Sequence, residues 1–218
     1  TLGSGSTAGI VLQDGAGGGA LSLAKVGAGT LTLSGTNTYT GGTALNGGVL
    51  AVSNDADLGA ATGSLSFGGG ALATDANFTT SRAVTLGASG GTLTPNSNAS
   101  LTLTGTVSGP GGLTVGGTGR VVLTGANSYG GGTTVNAGAT LQVGDGGTAG
   151  SIPGSVVANG TLTLNRSDRL DIAGIISGSG TLNQSGSGIT NLTGSNGPGA
   201  AFTGTAAINA GTLSINGT

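Results

Sequence analysis

The sequence contains no cysteine, histidine, methionine, tryptophan or glutamate, and its one lysine is Lys25. Without cysteine there is no disulfide framework, no zinc–thiolate site and no thiol nucleophile. Without histidine or cysteine, neither a Ser-His-Asp nor a Cys-His arrangement can be assembled. Charge is equally sparse: 5 Lys and Arg against 7 Asp give a net −2 over 218 residues. A duplex or single strand of nucleic acid needs a basic face to neutralise its phosphates, and none can be built from five cations. No apolar run approaches the roughly 20 residues that a membrane-spanning helix requires. The chain has no initiator methionine and no secretory leader, and it opens in mid-pattern at Thr1. The expectation is an excised piece of a longer protein, a single unit over residues 1–218.

Helix formers are as scarce as charge, while glycine is abundant at 51 residues. Each glycine inside a helix costs about 1 kcal/mol relative to alanine, so long helices are excluded. Glycine shows no period of three, which rules out a collagen triple helix. It is interleaved instead with alternating apolar pairs such as Leu31-Thr32-Leu33, Leu101-Thr102-Leu103 and Leu162-Thr163-Leu164. Period two is the signature of a half-buried strand, and threonine suits a pleated surface. Gly-Gly, Asn-Gly and Gly-Pro pairs punctuate these strands with turns. The fold class is all-β.

Internal repetition decides the architecture. Residues 27–52, GAGTLTLSGTNTYTGGTALNGGVLAV, return at 117–143 and, more loosely, at 186–215. Gly27, Asn37, Tyr39 and Asn46 reappear as Gly117, Asn127, Tyr129 and Asn136 at an offset of 90; Asn196, Phe202 and Asn209 hold the third set of positions. A leading Leu-x3-Gly-x-Gly motif begins at Leu23, Leu113 and Leu182, so the second offset is 69. The two offsets differ by 21, a plausible circumference for one coil of a β-solenoid. Such a solenoid can lose a whole rung and keep stacking, because each rung contacts only its neighbours. The missing segment is expected to correspond to the neighbourhood of Arg82 to Ser100. At about 21 residues per rung, the chain makes roughly ten rungs.

The motif G-x-G-T-L-x-L-x-G-x-N-x-Y-x-G-G-T-x-x-N-x-G-x-L-x-V resembles the passenger-associated β-strand repeat of bacterial autotransporters. The resemblance implies a right-handed parallel β-helix, exported through the outer membrane of a Gram-negative bacterium and displayed on, or shed from, its surface. It implies a C-terminal β-barrel translocator as partner, outside this chain. The absence of cysteine agrees with a passenger that crosses the periplasm unfolded. On this view the segment is a structural stalk that presents adhesive or effector regions. The alternative is a module that itself binds host matrix, glycans or neighbouring passengers, since flat, weakly charged β faces favour zipper-like association.

Candidate sites are few, and no catalytic, cofactor or metal residues are expected. Two carboxylate pairs could serve acid–base chemistry: Asp55 with Asp57, and Asp168 with Asp171. The first lies in an SNDADLG segment where aspartate commonly bonds its own backbone. The second sits beside Arg166 and Arg169 and reads as a charge-paired turn. Arg166, Asp168, Arg169 and Asp171 nevertheless form the densest charge cluster and are the candidate binding epitope, with the Gly197–Ala201 loop beside them in interest. Gly144-Asp145-Gly146-Gly147 is an isolated turn rather than a calcium-binding nonapeptide array. Glycines between 109 and 119 precede no helix and do not form a phosphate cradle. Tyr39, Tyr129 and Phe202 read as stacking or corner residues. Asn46, Asn136 and Asn209 read as left-handed turn positions or an amide ladder.

Overall fold

The computed structural model describes residues 7–8, 11–195 and 201–216. Among these residues, strands of two to five residues follow one another around a coil, with one short 3-10 turn at Asp55–Leu58. They pair in parallel with the strand one coil above and below. Among the described residues the ladders form sheets of nine, seven, five and three strands. The nine-stranded sheet climbs from Thr7–Ala8 and Thr30–Leu33 to Ile176–Ser177. The five-stranded sheet runs from Leu23–Lys25 to Val107–Ser108, and the seven-stranded sheet from Phe78–Thr80 to Thr205–Ile208. The three-stranded sheet holds Arg169–Ile172, Ile189–Leu192 and Thr212–Ile215. This is a β-solenoid.

Rung length can be read from one column of partners, Thr30–Val49–Ala71–Thr92–Thr114–Thr134–Val157–Ser177. The step from Thr30 to Val49 is the shortest and that from Thr134 to Val157 the longest. Their average is about 21 residues, one turn of a coil whose rungs touch only their neighbours. The sequence-derived circumference is therefore that of the structure, with about nine rungs rather than ten. At the ~4.8 Å spacing of paired strands, nine rungs make a rod about 43 Å long.

The core is a set of like-on-like columns. Leu31, Leu50, Leu72 and Leu93 stack inside the nine-stranded sheet, each at most 3 % exposed. Leu101, Val121, Leu141, Leu162 and Leu182 do the same inside the seven-stranded sheet. Burying each such side chain contributes about 1.5–3 kcal/mol, and in a solenoid that contribution is shared only between adjacent rungs.

The repeat copies do not stack on one another. Four rungs above Thr30 the column reaches Thr114, whereas the first repeat offset carries Thr30 to Arg120, six positions further on. Three rungs above Leu113 lies Ile176, whereas the second offset carries Leu113 to Leu182, again six positions further on. This common excess over whole rungs moves the motif onto the next face. Leu23 accordingly lies in the five-stranded sheet, Leu113 in the nine-stranded and Leu182 in the seven-stranded. The difference between the offsets is one rung, but each copy is turned to a new side of the rod.

Within each of the first two copies a strand-free stretch, 34–42 or 124–132, is held by one asparagine. Asn37 Oδ1 accepts from the Leu12 N–H at 2.8 Å, and its Nδ2 donates to the Asp57 carbonyl at 2.7 Å. Asn127 repeats this with the Val107 N–H at 2.9 Å and the Ser151 carbonyl at 2.8 Å. The side-chain amide thus links the rungs on either side, beside isolated backbone bonds such as Thr38 N–H to the Leu12 carbonyl and Ser128 N–H to the Val107 carbonyl. Two residues on, buried Tyr39 and Tyr129 hydrogen-bond Thr43 and Thr133 at 2.7 and 2.6 Å. The tyrosines are core residues, and Phe202 packs partly buried against the core.

Asn46, Asn136 and Asn209 do not adopt the left-handed conformation considered for them: among the described residues only Asn98, at φ 72°, is a non-glycine with positive φ. The glycine two positions later supplies it instead, at Gly48 (φ 61°), Gly138 (φ 84°) and Gly211 (φ 62°). A Cβ at Gly48 would collide with the carbonyl oxygens of Gly27 and Gly29, so chain approach also demands glycine there. Asn209 does donate to Asn183 Oδ1, at 2.7 Å, one step of an amide ladder. Asn196 lies outside the described residues.

Candidate binding surfaces

Most of the charged side chains are buried fasteners or members of surface pairs. Lys25 is 6 % exposed, and its ammonium donates to the carbonyls of Val26, Gly27 and Gly47 at 2.8–3.0 Å. Gln184, at the same motif position in the third copy, donates to the Gly186 carbonyl at 2.9 Å and accepts from Thr190 Oγ1. In the second copy the position is Val115.

Arg82 is buried beneath the SNDADLG segment. Its Nε donates to Asp55 Oδ1 at 2.9 Å, and its two Nη groups reach the carbonyls of Asp55, Gly59, Ala60 and Gly63. Asp57 Oδ2 accepts from the Ser53 and Asn54 N–H groups at 2.8 and 2.9 Å, closing a capping box with Asn54. Asp57 thus bonds its own turn's backbone, whereas the Asp55 carboxylate is held by Arg82 from the next rung, a partner the turn reading did not include.

The Arg166–Asp171 cluster is likewise self-paired. Arg166 holds Asp168 through two bonds of 2.8 and 2.7 Å, and its Nη1 also donates to the Gly150 carbonyl. Arg169 donates to Asp171 at 2.8 Å, and Asn191 donates to the same carboxylate oxygen at 2.9 Å. The Arg166 hydrogen bond holds the Asp168 carboxyl below the usual range; the Asn191 and Arg169 bonds do the same for Asp171. Asp168 lies in the turn before the strand, while Arg169 and Asp171 point outward from it in strict alternation with buried Leu170 and Ile172. The structure brings the four residues together as two adjacent ion pairs on an exposed edge. Of the Gly197–Ala201 loop, residues 197–200 lie outside the described region.

Two surface features escape a reading of the sequence. Among the described residues no strand of the nine-stranded sheet contains a charged residue, so its outer face is a flat field of Thr, Ala, Val and Ser. The second is a groove of about 340 Å³ at the corner leading into the seven-stranded sheet, lined by Asn77, Asn98, Ser100, Thr118, Arg120 and Thr140 among others. Arg120 Nε donates to Ser100 Oγ at 3.3 Å and Nη1 to Gln142 Oε1 at 3.2 Å, both neutral partners. Among the described residues it is the one arginine without a salt bridge. The sequence hint was slight: Arg166 and Arg169 have an aspartate two residues on, and Arg120 has no acid nearby. No group of three acidic, histidine or cysteine side chains capable of holding a metal occurs among the described residues.

Parallel rungs of near-constant length, an aliphatic core and a repeated Asn-x-Tyr fastening unit define a parallel β-solenoid. The passenger-associated-transport-repeat family matches residues 23–52, 113–143 and 182–215, and the chain belongs with these passenger proteins. It is 47 % identical over 160 residues to the adhesin BmaC autotransporter of Brucella suis biovar 1 (strain 1330). That match covers 73 % of this chain but only 5 % of the relative's length. No solved structure matches the chain. No helix among the described residues is long and apolar enough to cross a membrane. Passengers of this class are exported through the outer membrane of a Gram-negative bacterium to the cell surface.

Proposed function

We propose that this chain is a non-enzymatic spacer, a stiff rod that holds adhesive regions of its passenger away from the bacterial surface. The observation that carries the reading is the uninterrupted column of aliphatic side chains from Leu31 to Ala158 inside one sheet. Each rung is locked to the next by parallel ladders and side-chain clamps, so bending requires breaking hydrogen bonds along a whole face. Its partner is a C-terminal β-barrel translocator elsewhere in the parent protein. The test is reach: in the surface-displayed parent, removing this segment in whole rungs should lower adhesion in proportion to length. Refilling the gap with an unrelated β-solenoid of equal length should restore it. Unchanged adhesion after removal of the whole segment overturns the spacer reading.

A second reading, direct adhesion or self-association, draws on the relative's name as an adhesin and on the charge-free face of the nine-stranded sheet. Little charge repulsion opposes contact between two such faces.

A further inference from the structure

We propose that the corner groove at Arg120 is a subsite for an acidic sugar, with the carboxylate of a sialic or uronic acid seated on the guanidinium. The inference rests on the second reading, in which the rod itself contacts a ligand. Four of the five cations are already spent: Lys25 on carbonyls, and Arg82, Arg166 and Arg169 on aspartates. Arg120 is exposed and lacks a carboxylate, while Ser100 from the rung below and Gln142 from the rung above hold its fork along the groove. Both of those bonds are long and go to neutral oxygens, so the positive charge stays uncompensated. A planar guanidinium with free N–H groups accepts a carboxylate in two parallel bonds, and such charge-assisted pairs are the strong ones.

The surroundings select the rest of the ligand. Asn77, Asn98, Ser100, Thr118 and Thr140 offer amides and hydroxyls, while Ala99 is the apolar side chain of the lining. A peptide acid would bring neighbouring side chains for which the groove has no apolar seat. A sugar ring brings hydroxyls, which these groups can both donate to and accept from. The site is built by the stacking of separate rungs. Asn77 Oδ1 accepts from the Ser100 N–H at 2.7 Å, and the Arg120 N–H donates to the Ala99 carbonyl at 2.9 Å. Gly119 lies against the turn below, where a Cβ would collide with the carbonyl oxygens of Asn96 and Ala99.

The experiment is solution binding of the 218-residue chain to sialyllactose, to a glucuronic-acid disaccharide and to neutral lactose, at low and physiological salt. At least tenfold tighter binding of an acidic sugar than of lactose is expected, weakening as salt rises. Arg120→Gln should bring acidic-sugar binding down to the lactose level, while Ile189→Thr, at an exposed residue of the three-stranded sheet, should not change it. Thr118→Asp, which sets a carboxylate on the exposed rim, should block binding in the same way and covers a folding failure of the first variant. Equal binding of acidic and neutral sugars, no binding of either acid, or full binding by Arg120→Gln would overturn the subsite. Adhesion of the displayed passenger that ignores Arg120→Gln but falls with rung removal rejects the subsite and leaves the spacer standing.

Discussion

Replacing Arg82 with alanine should be among the most damaging single changes in this chain. The side chain is 1 % exposed and Asp55 is 24 % exposed, so the ion pair is largely withdrawn from water. Removing the guanidinium leaves the Asp55 carboxylate partly solvated, but it also strips the donor from the carbonyls of Gly59 and Gly63, two buried residues. An unsatisfied buried polar group costs about 1–3 kcal/mol, and breaking a buried ion pair costs roughly 3–5 kcal/mol. The two figures overlap, since both count the same lost donor. Arg82→Ala should therefore destabilise by about 3–5 kcal/mol. The loss should be local, because each rung contacts only its neighbours. Hydrogen exchange should show residues 53–63 and the rungs at Leu65–Phe67 and Val84–Leu86 opening first, while the seven-stranded sheet beyond Arg120 keeps its protection. Arg82→Lys should recover only part of the loss, since three ammonium donors cannot serve a carboxylate and four carbonyls. A urea-unfolding free energy no further from wild type than an ordinary surface substitution, about 0.5 kcal/mol, would refute this account of Arg82. Uniform loss of protection along the rod would refute it equally.

Three further outcomes follow from particular contacts. Thr74 Oγ1 is the one buried side-chain polar atom without a hydrogen bond among the described residues, and Thr74 stacks directly on Val52; Thr74→Val should stabilise by about 1 kcal/mol in urea unfolding. Burial raises the hydroxyl of Tyr39 and lifts that of Tyr129 to about 12 from the ordinary 10. Because the folded value is the higher one, the stability is intact below pH 10 and drains away as pH rises toward 12, by roughly 1.4 kcal/mol per unit for Tyr129; tyrosinate absorbance appearing at pH 10 in the folded chain would contradict it. Excising residues 104–123 joins Leu103 to Thr124 one rung apart and should leave a folded, shorter rod by circular dichroism and scattering. Excising 82–104 joins Ser81 to Gly105, also one rung apart, but removes Arg82 and should unfold the neighbouring loop, so equal tolerance of both deletions would count against the Arg82 fastening.

Much of this architecture was legible because a solenoid is a local code. Period-two apolar residues, glycine punctuation and the difference between the two repeat offsets specify strand, turn and circumference without reference to distant contacts. The same locality exposed Asp55–Asp57 as a turn and Arg166–Asp171 as a self-paired cluster, since their partners lie within a few residues or, for Arg82, one rung away. What the sequence could not show was which face each copy meets. Offsets of 90 and 69 each exceed whole 21-residue rungs by six, but only the strand partners reveal that those six positions carry the motif from one sheet to the next. Strand pairing also decides which side chains from successive rungs become neighbours. Arg120 is an isolated arginine in the sequence and becomes a fork between Ser100 and Gln142 only when three rungs stack. Chain-local chemistry thus determined the coil itself, whereas the surfaces it offers to other molecules were decided by how many residues each turn of the coil takes.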